Sequence, residues 1–210
     1  ESVPKASAFY VYRNLTKDDR ETGCNYEIGE LARLLKEILA KEAKASAAIT
    51  LAVEMLEVLT TCTNFQFKLS ETRGLVSLLV SLIKQEEAGS ELKANALGVL
   101  ANMASNQGRP IDTIIEVSGL LDVLVDAIKD AEQGSKVQWE SIRFLMYLSS
   151  CVAGRLLQTE GMVAMLLETI AKATMGSEVK ANTLKILCRL LYDNASAMRL
   201  FATSGLIDLL

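Results

Sequence analysis

The sequence predicts an all-α protein built from stacked repeats. Only two of its 210 residues are proline and 5% are aromatic, which favours helices over strands and turns. One landmark, a glycine followed by an apolar stretch, returns after 45, 45, 42 and 44 residues, at Gly29, Gly74, Gly119, Gly161 and Gly205. A second landmark, a Gly-Ser pair, returns in phase with the first, at residues 89–90, 134–135 and 176–177. Two landmarks in phase predict repeats of 42–45 residues.

The landmarks also predict three helices in each repeat. A glycine can adopt the left-handed conformation that ends a helix, and the serine after it can cap the next helix through its side-chain oxygen. Pro110 stands where a short helix would begin, in the first turn, where proline is tolerated. Each repeat is therefore expected to contain a short, a medium and a long helix.

The long helices carry apolar residues at spacings that fit 3.6 residues per turn. The predicted core residues are Leu92, Ala96, Val99, Leu100 and Met103, then Val137, Ile142, Phe144, Leu145 and Leu148, then Val179, Thr183, Ile186, Leu187 and Leu190. A helical unit of this length cannot bury its apolar face alone, so neighbouring units should stack into an α-solenoid.

In these features residues 29–210 resemble the armadillo-repeat family. The resemblance rests on the glycine before the second helix, the Leu-Leu pairs after it, the Gly-Ser corner and third-helix runs such as Val137–Leu148. It implies a right-handed α-α superhelix of about four to five three-helix repeats, the last one truncated, whose third helices line a concave groove. HEAT repeats are the neighbouring alternative, but the opening glycine and the short helix expected between Gln107 and Val117 favour armadillo repeats.

Residues 1–28 precede the first repeat and are expected to form an N-terminal helical cap. A solenoid exposes an apolar face at each end, and an atypical terminal segment commonly covers it. The side chains expected to do so are Phe9, Tyr10, Tyr12 and Leu15.

The composition argues against an enzyme. The chain has no histidine, which removes the commonest general base and every His-containing zinc site. The carboxylates are scattered or lie on predicted helix surfaces, and no phosphate-binding loop, calcium loop or nucleophile elbow is present. We therefore expect no catalytic residue, no metal, no cofactor and no small-molecule substrate.

Cysteine usage favours a cytoplasmic protein, and the charge and hydropathy argue against nucleic-acid and membrane partners. Cys24, Cys62, Cys151 and Cys188 lie far apart with no CxxC motif, which is typical of reduced thiols in the cytosol. The net charge of −4 disfavours binding to nucleic acids. No apolar run approaches the length needed to span a bilayer, so no direct membrane contact is expected.

The resemblance suggests where to look for a binding site. In armadillo proteins that read nuclear-import signals, the third helices carry a Trp and, four residues later, an Asn. The matching pairs here are Glu57 and Thr61, Gly98 and Asn102, Arg143 and Tyr147, and Lys185 and Arg189. Only Asn102 fits, so an import receptor is not expected. The groove instead changes sign, from Glu57 to the cations of the later repeats.

Trp139, Arg143 and Tyr147 are spaced i, i+4 and i+8, which predicts one stripe on a single helix face. A guanidinium beside aromatic rings is typical of interface hot spots. The alternative is that Trp139 fills a gap between helices while Arg143 is solvated, and that Lys185 and Arg189 belong to a solvated face. The predicted protein-binding groove comprises Asn95, Asn102, Trp139, Arg143, Tyr147, Asn182, Lys185 and Arg189.

Gly98 falls in the middle of a long helix, where glycine costs about 1 kcal/mol relative to alanine. This predicts that a neighbouring backbone or a ligand comes close at Gly98, the alternative being a residue left there by drift.

The leading hypothesis is a non-enzymatic adaptor that holds partner proteins in its groove. Because opposite charges favour each other across interfaces, the preferred partner is an acidic extended or helical segment near Arg189. One alternative is a lipid-anchored armadillo-only protein that positions a membrane organelle from its cytosolic face, with the anchor N-terminal to residue 1. Another is a co-chaperone of the Hsp70 or myosin type.

Overall fold

A computed structural model describes residues 24–41, 46–106 and 109–192 of the chain. Within these ranges every regular element is an α-helix and no strand occurs. The proposed cap residues Phe9, Tyr10, Tyr12 and Leu15, and the last landmark, Gly205, lie outside the described residues.

Ten helices span the described residues. They are α1 (Cys24–Lys41), α2 (Ala47–Leu59), α3 (Thr63–Glu71), α4 (Leu75–Gln85), α5 (Glu91–Ser105), α6 (Arg109–Ile115), α7 (Leu120–Asp130), α8 (Lys136–Gln158), α9 (Met162–Lys172) and α10 (Glu178–Tyr192). The predicted order of short, medium and long helices is clear in α3–α4–α5 and in α6–α7–α8. The third helices of successive repeats are α2, α5, α8 and α10, and each packs against the next.

The first landmark begins a second helix in three repeats. Gly74, Gly119 and Gly161 each form the N-cap of such a helix with φ between 72° and 81°, a left-handed conformation that favours glycine. Gly29 differs, because it lies inside α1 and does not precede a helix. The first repeat therefore does not share the glycine corner of the others.

The Gly-Ser corners cap the third helices as predicted. The serine side chains of Ser90, Ser135 and Ser177 accept hydrogen bonds from backbone N–H groups three residues later, at 3.2–3.4 Å. Ser46 caps α2 in the same way, although no glycine precedes it. The glycines of the corners differ among themselves, because Gly134 and Gly176 have positive φ whereas Gly89 does not.

The apolar residues predicted for the third helices form a continuous core. All fifteen predicted residues, Thr183 included, are buried, with at most 7% of their surface exposed. α8 is longer than its counterparts because it joins the third helix of one repeat to the first helix of the next, across a kink at Val152 with φ −127° and ψ 27°. None of the described helices is long and apolar enough to cross a membrane.

Gly134 and Gly89 offer a matched test of the corner geometry. A Cβ would meet no atom within 4 Å at either position, but only Gly134 has a left-handed backbone, with φ 78°. We expect Gly134→Ala to lower the free energy of unfolding by about 1–2 kcal/mol, the cost of a left-handed conformation for an L-residue. Gly89→Ala should be neutral or slightly stabilising. Urea unfolding would measure both, and equal effects would contradict the assigned corner.

Candidate protein-binding groove

The surface formed by the third helices places polar residues in register from repeat to repeat. Five residues after the N-cap serines stand Asn95, Glu140 and Asn182, and all three are buried. Eight residues after these serines stand Gly98, Arg143 and Lys185, and twelve residues after them stand Asn102, Tyr147 and Arg189.

The first repeat has a different register from the one predicted. Counted from the N-cap Ser46, the position that matches Gly98 is Glu54, three residues before Glu57. The core supports this register, because Leu56 then aligns with Leu100 and both are fully buried. Glu57 and Thr61 are therefore not the matching pair, although Glu57 still reaches the third-helix surface.

Gly98 is the point at which side chains from two neighbouring helices pass over α5. A Cβ on Gly98 would lie 3.0 Å from Glu57 Oε1 and 3.3 Å from Glu140 Oε1. Glu57, from α2, forms an ion pair with Lys136, from α8, at 3.4 Å. The Lys136 ammonium also donates a hydrogen bond to Asn95 Oδ1 at 2.6 Å. The missing side chain thus leaves room for two carboxylates.

A second chain of polar contacts also crosses α5. Asn102 Nδ2 donates to Thr60 Oγ1 at 3.1 Å, and Asn102 Oδ1 accepts from Arg143 Nη1 at 2.9 Å. The same guanidinium donates to Glu140 Oε2 through Nε at 2.9 Å and through Nη2 at 2.6 Å. Such a two-bond pairing fixes the guanidinium plane, so Arg143 is held against its own helix.

Trp139 and Arg143 stack as the spacing predicts. The Arg143 guanidinium carbon lies 4.9 Å from the Trp139 ring centroid, within the range of a cation–π contact. Trp139 Nε1 donates a hydrogen bond to Glu178 Oε2 at 3.0 Å, which ties α8 to α10. Tyr147, one turn beyond Arg143, is half-buried and packs against the core.

Cations dominate α10, where Lys180, Lys185 and Arg189 accompany the single acidic residue Glu178. Lys185 is exposed, and its ammonium donates to Asn182 Oδ1 at 3.3 Å. Arg189 donates from Nη1 to the Met146 carbonyl and to Ser149 Oγ. Its remaining guanidinium donors have no hydrogen-bond partner among the described residues, so Arg189 retains capacity to bind an anion.

The contacts divide the third-helix surface into two parts. We call Glu57, Lys136, Glu140 and Arg143, arranged around Gly98, the closed half, because its charges are paired within the chain. They lie over the part of α5 around Gly98, where every residue from Leu92 to Ala101 is buried between the flanking helices. We call Trp139, Tyr147, Lys185 and Arg189 the open half.

Burial is the main influence on the Glu140 carboxyl. Only 4% of its side chain is exposed, and the loss of hydration raises its pKa above the ordinary value of 4.5. Arg143 and Lys136 lower the pKa, whereas the charge of Glu57 raises it further. Arg143 thus offsets part of the cost of burying this carboxylate.

Comparison with solved structures identifies the architecture. A computationally designed armadillo repeat protein for modular peptide recognition is 20% identical, with a TM-score of 0.68 over 91% of this chain and 85% of that one. A designed armadillo repeat protein in complex with the peptide (KR)4 is 20% identical, with a TM-score of 0.67 over 96% and 87%. The chain adopts the armadillo-repeat fold.

Other comparisons add little to this assignment. The crystal structure of an engineered protein is 20% identical, with a TM-score of 0.69 over 100% of this chain and 90% of that one. No protein-family model matches the sequence, and no curated protein does.

The structure places most of the predicted groove residues along the row of third helices, but their environments differ. Asn95 and Asn182 are buried, at 0% and 4% exposure, and act as hydrogen-bond acceptors for Lys136 and Lys185. Arg143 is not the solvated side chain of the alternative interpretation, because its side chain is 18% exposed and Glu140 and Asn102 accept hydrogen bonds from its guanidinium. The assignment of the set to partner binding remains a prediction.

Sequence reasoning missed three contributors to this surface, namely Lys136, Glu140 and Glu178. A signal for Glu140 was present, because a polar residue follows each N-cap serine by five positions in the three aligned repeats. No local pattern marks Lys136 or Glu178, since their partners lie one or two repeats away along the chain.

Gly98 can be tested against Gly154, a helical glycine around which a Cβ would meet no atom within 4 Å. Gly154→Ala should raise the free energy of unfolding by up to about 1 kcal/mol, because alanine favours helices. Gly98→Ala should forfeit this gain or destabilise, because its Cβ would crowd Glu57 and Glu140. Thermal and urea unfolding would compare the stabilities of the two variants. An equal gain in the free energy of unfolding would contradict the close approach of Glu57 and Glu140 to Gly98.

The raised pKa of Glu140 predicts a pH dependence with a defined sign. The folded chain holds this proton more tightly than the unfolded chain, so the carboxyl favours folding most at low pH. The stability of the wild type relative to Glu140→Gln should fall as pH rises from below 4.5 through the folded-state pKa, then level off. Urea unfolding at several pH values, between about 4 and 8, measures this difference. A difference that grows with pH would show that Arg143 outweighs burial.

Proposed function

We propose that this chain is a non-enzymatic protein-binding scaffold and that the open half of its groove holds the partner. The observation that carries the proposal is a surface where aromatic rings and incompletely paired cations lie together, on α8 and α10. Aromatic side chains and arginine are the residues most enriched at interface hot spots. A designed protein of the same fold was solved with a peptide bound, which supports a peptide as the type of ligand.

The proposed partner is an acidic segment, extended or helical. α10 carries three basic residues against one acidic residue, and Lys185 projects into solvent. Charge complementarity of this kind speeds encounter and selects among partners more than it adds affinity. Trp139 and Tyr147 would then supply apolar contact area beside the ion pairs.

Other roles have less support. Without histidine, and with Glu57 and Glu140 paired to cations, the groove offers no general base with a reacting group beside it. No three Cys, Asp or Glu side chains among the described residues come together to hold a metal ion. The free thiols of Cys151 and Cys188 support the proposed cytoplasmic location. No contact among the described residues favours the lipid-anchored or co-chaperone alternative.

Direct binding of labelled peptides tests the proposal. We expect the chain to bind the acidic peptide (DE)4 in fluorescence anisotropy, with an affinity that falls as salt is added. Lys185→Glu should weaken this binding by about tenfold, because a favourable charge becomes a repulsive one. Lys185 is exposed, and its ammonium makes one long hydrogen bond among the described residues, so the fold should be little affected.

The matched control is Lys84→Glu, which makes the same charge change on α4, outside the row of third helices. It should leave the affinity for (DE)4 nearly unchanged. Equal weakening by both variants would reduce the effect to net charge. No binding of (DE)4 by the wild type at low salt would reject an acidic partner.

A further inference from the structure

We propose that the cations Lys136 and Arg143 occupy the carboxylates of the closed half from within the chain, and that they set the specificity of the groove by excluding basic partners. The proposal deepens the proposed function and rests on it, since it assumes that partners bind in the groove. It accounts for the closed half, to which that function assigns no partner.

The carboxylates of the closed half lie where an external cation would be expected to bind. Oxygen atoms of Glu57 and Glu140 lie 3.0 Å and 3.3 Å from the position that a Cβ on Gly98 would occupy. Two acidic groups therefore meet over the one residue of this part of α5 that has no side chain. Glu140 is buried, and a buried carboxylate without a cation is costly. This part of the groove therefore requires a positive charge.

The chain supplies that charge from α8. Lys136 pairs with Glu57 at 3.4 Å and donates to Asn95, while Arg143 pairs with Glu140 at 2.6 Å and donates to Asn102. Both cations thus reach from their own helix to acceptors on the preceding third helix. Their acceptors Asn95 and Asn102 precede and follow Gly98 along α5, so the two cations lie on either side of that glycine.

A basic peptide would have to displace these tethered cations. An intramolecular group competes at a high effective concentration, and it incurs no loss of translational freedom on binding. Arg143 is further held by two hydrogen bonds to Glu140 and by the Trp139 ring. A peptide rich in Lys or Arg should therefore find no unpaired carboxylate in the closed half, and repulsion in the open half.

The same arrangement gives the groove a direction. An acidic partner gains from Lys185 and Arg189 on α10 but meets a neutralised surface over α5. Its acidic residues should therefore lie toward α10, and the partner segment over α5 should be neutral or apolar.

The test is a gain of binding for the basic peptide (KR)4. The single variant Lys136→Ala frees the Glu57 carboxylate and Asn95 Oδ1, and it should fold because 45% of the Lys136 side chain is exposed. We expect it to bind (KR)4 about tenfold more tightly than the wild type. Lys136→Ala/Arg143→Gln should bind more tightly still, and adding Glu57→Gln should reverse the gain of the single variant.

Two controls make the outcome decisive. Lys84→Ala removes the same charge elsewhere and should not create binding of (KR)4. Circular dichroism checks folding, and if the double variant does not fold, the single variant alone decides. A folded Lys136→Ala that gains no affinity for (KR)4, or a wild type that already binds (KR)4 as tightly, would overturn the inference.

Binding of (DE)4 measured on the same proteins separates this inference from the proposed function. Lys136→Ala should retain (DE)4 binding through α10. If the wild type does not bind (DE)4, the proposed acidic partner is rejected. If Lys136→Ala does not gain affinity for (KR)4, only the role of Lys136 and Arg143 is rejected.

Discussion

The packing of each third helix against the next is the interaction on which the rest of the structure depends. A single three-helix repeat leaves its apolar residues exposed on two sides, so its core exists only in the stack. α5 shows the extreme case, because α2 and α8 flank it and every residue from Leu92 to Ala101 is buried. The capping serines and left-handed glycines serve this packing, since they turn the chain sharply enough for the next helix to lie alongside.

Stacking also decides where charges can meet. Glu57 and Lys136 belong to different repeats, but their helices, α2 and α8, both flank α5. Because Gly98 has no side chain, the two charged groups can meet across α5. The surface formed by the third helices is therefore not a uniform row of unpaired side chains. One part is satisfied internally. The other, on α8 and α10, combines the half-buried rings of Trp139 and Tyr147 with the cations Lys185 and Arg189, and it is there that we propose a partner binds.

Much of the fold could be predicted from the sequence because its signals are local. A glycine, a capping serine and an apolar spacing each act within one turn or one helix, and they return with the repeat. Gly29 was misassigned because one landmark without its structural context does not show whether a helix continues through it. The predicted stack of Arg143 on Trp139 is likewise local and is present. The ion pair of Lys136 with Glu57 could not be predicted, because it depends on which side chains two stacking events bring together.

The division of the groove is most directly tested by a nuclear magnetic resonance titration of the isotope-labelled chain with (DE)4. Trp139 is the only tryptophan, so its indole N–H gives a single resonance in the open half, and the Gly98 amide reports on the closed half. We expect the indole resonance and the amides around Lys185 to shift with (DE)4 while Gly98 stays in place. Shifts centred on Gly98 with an unmoved indole would contradict the account.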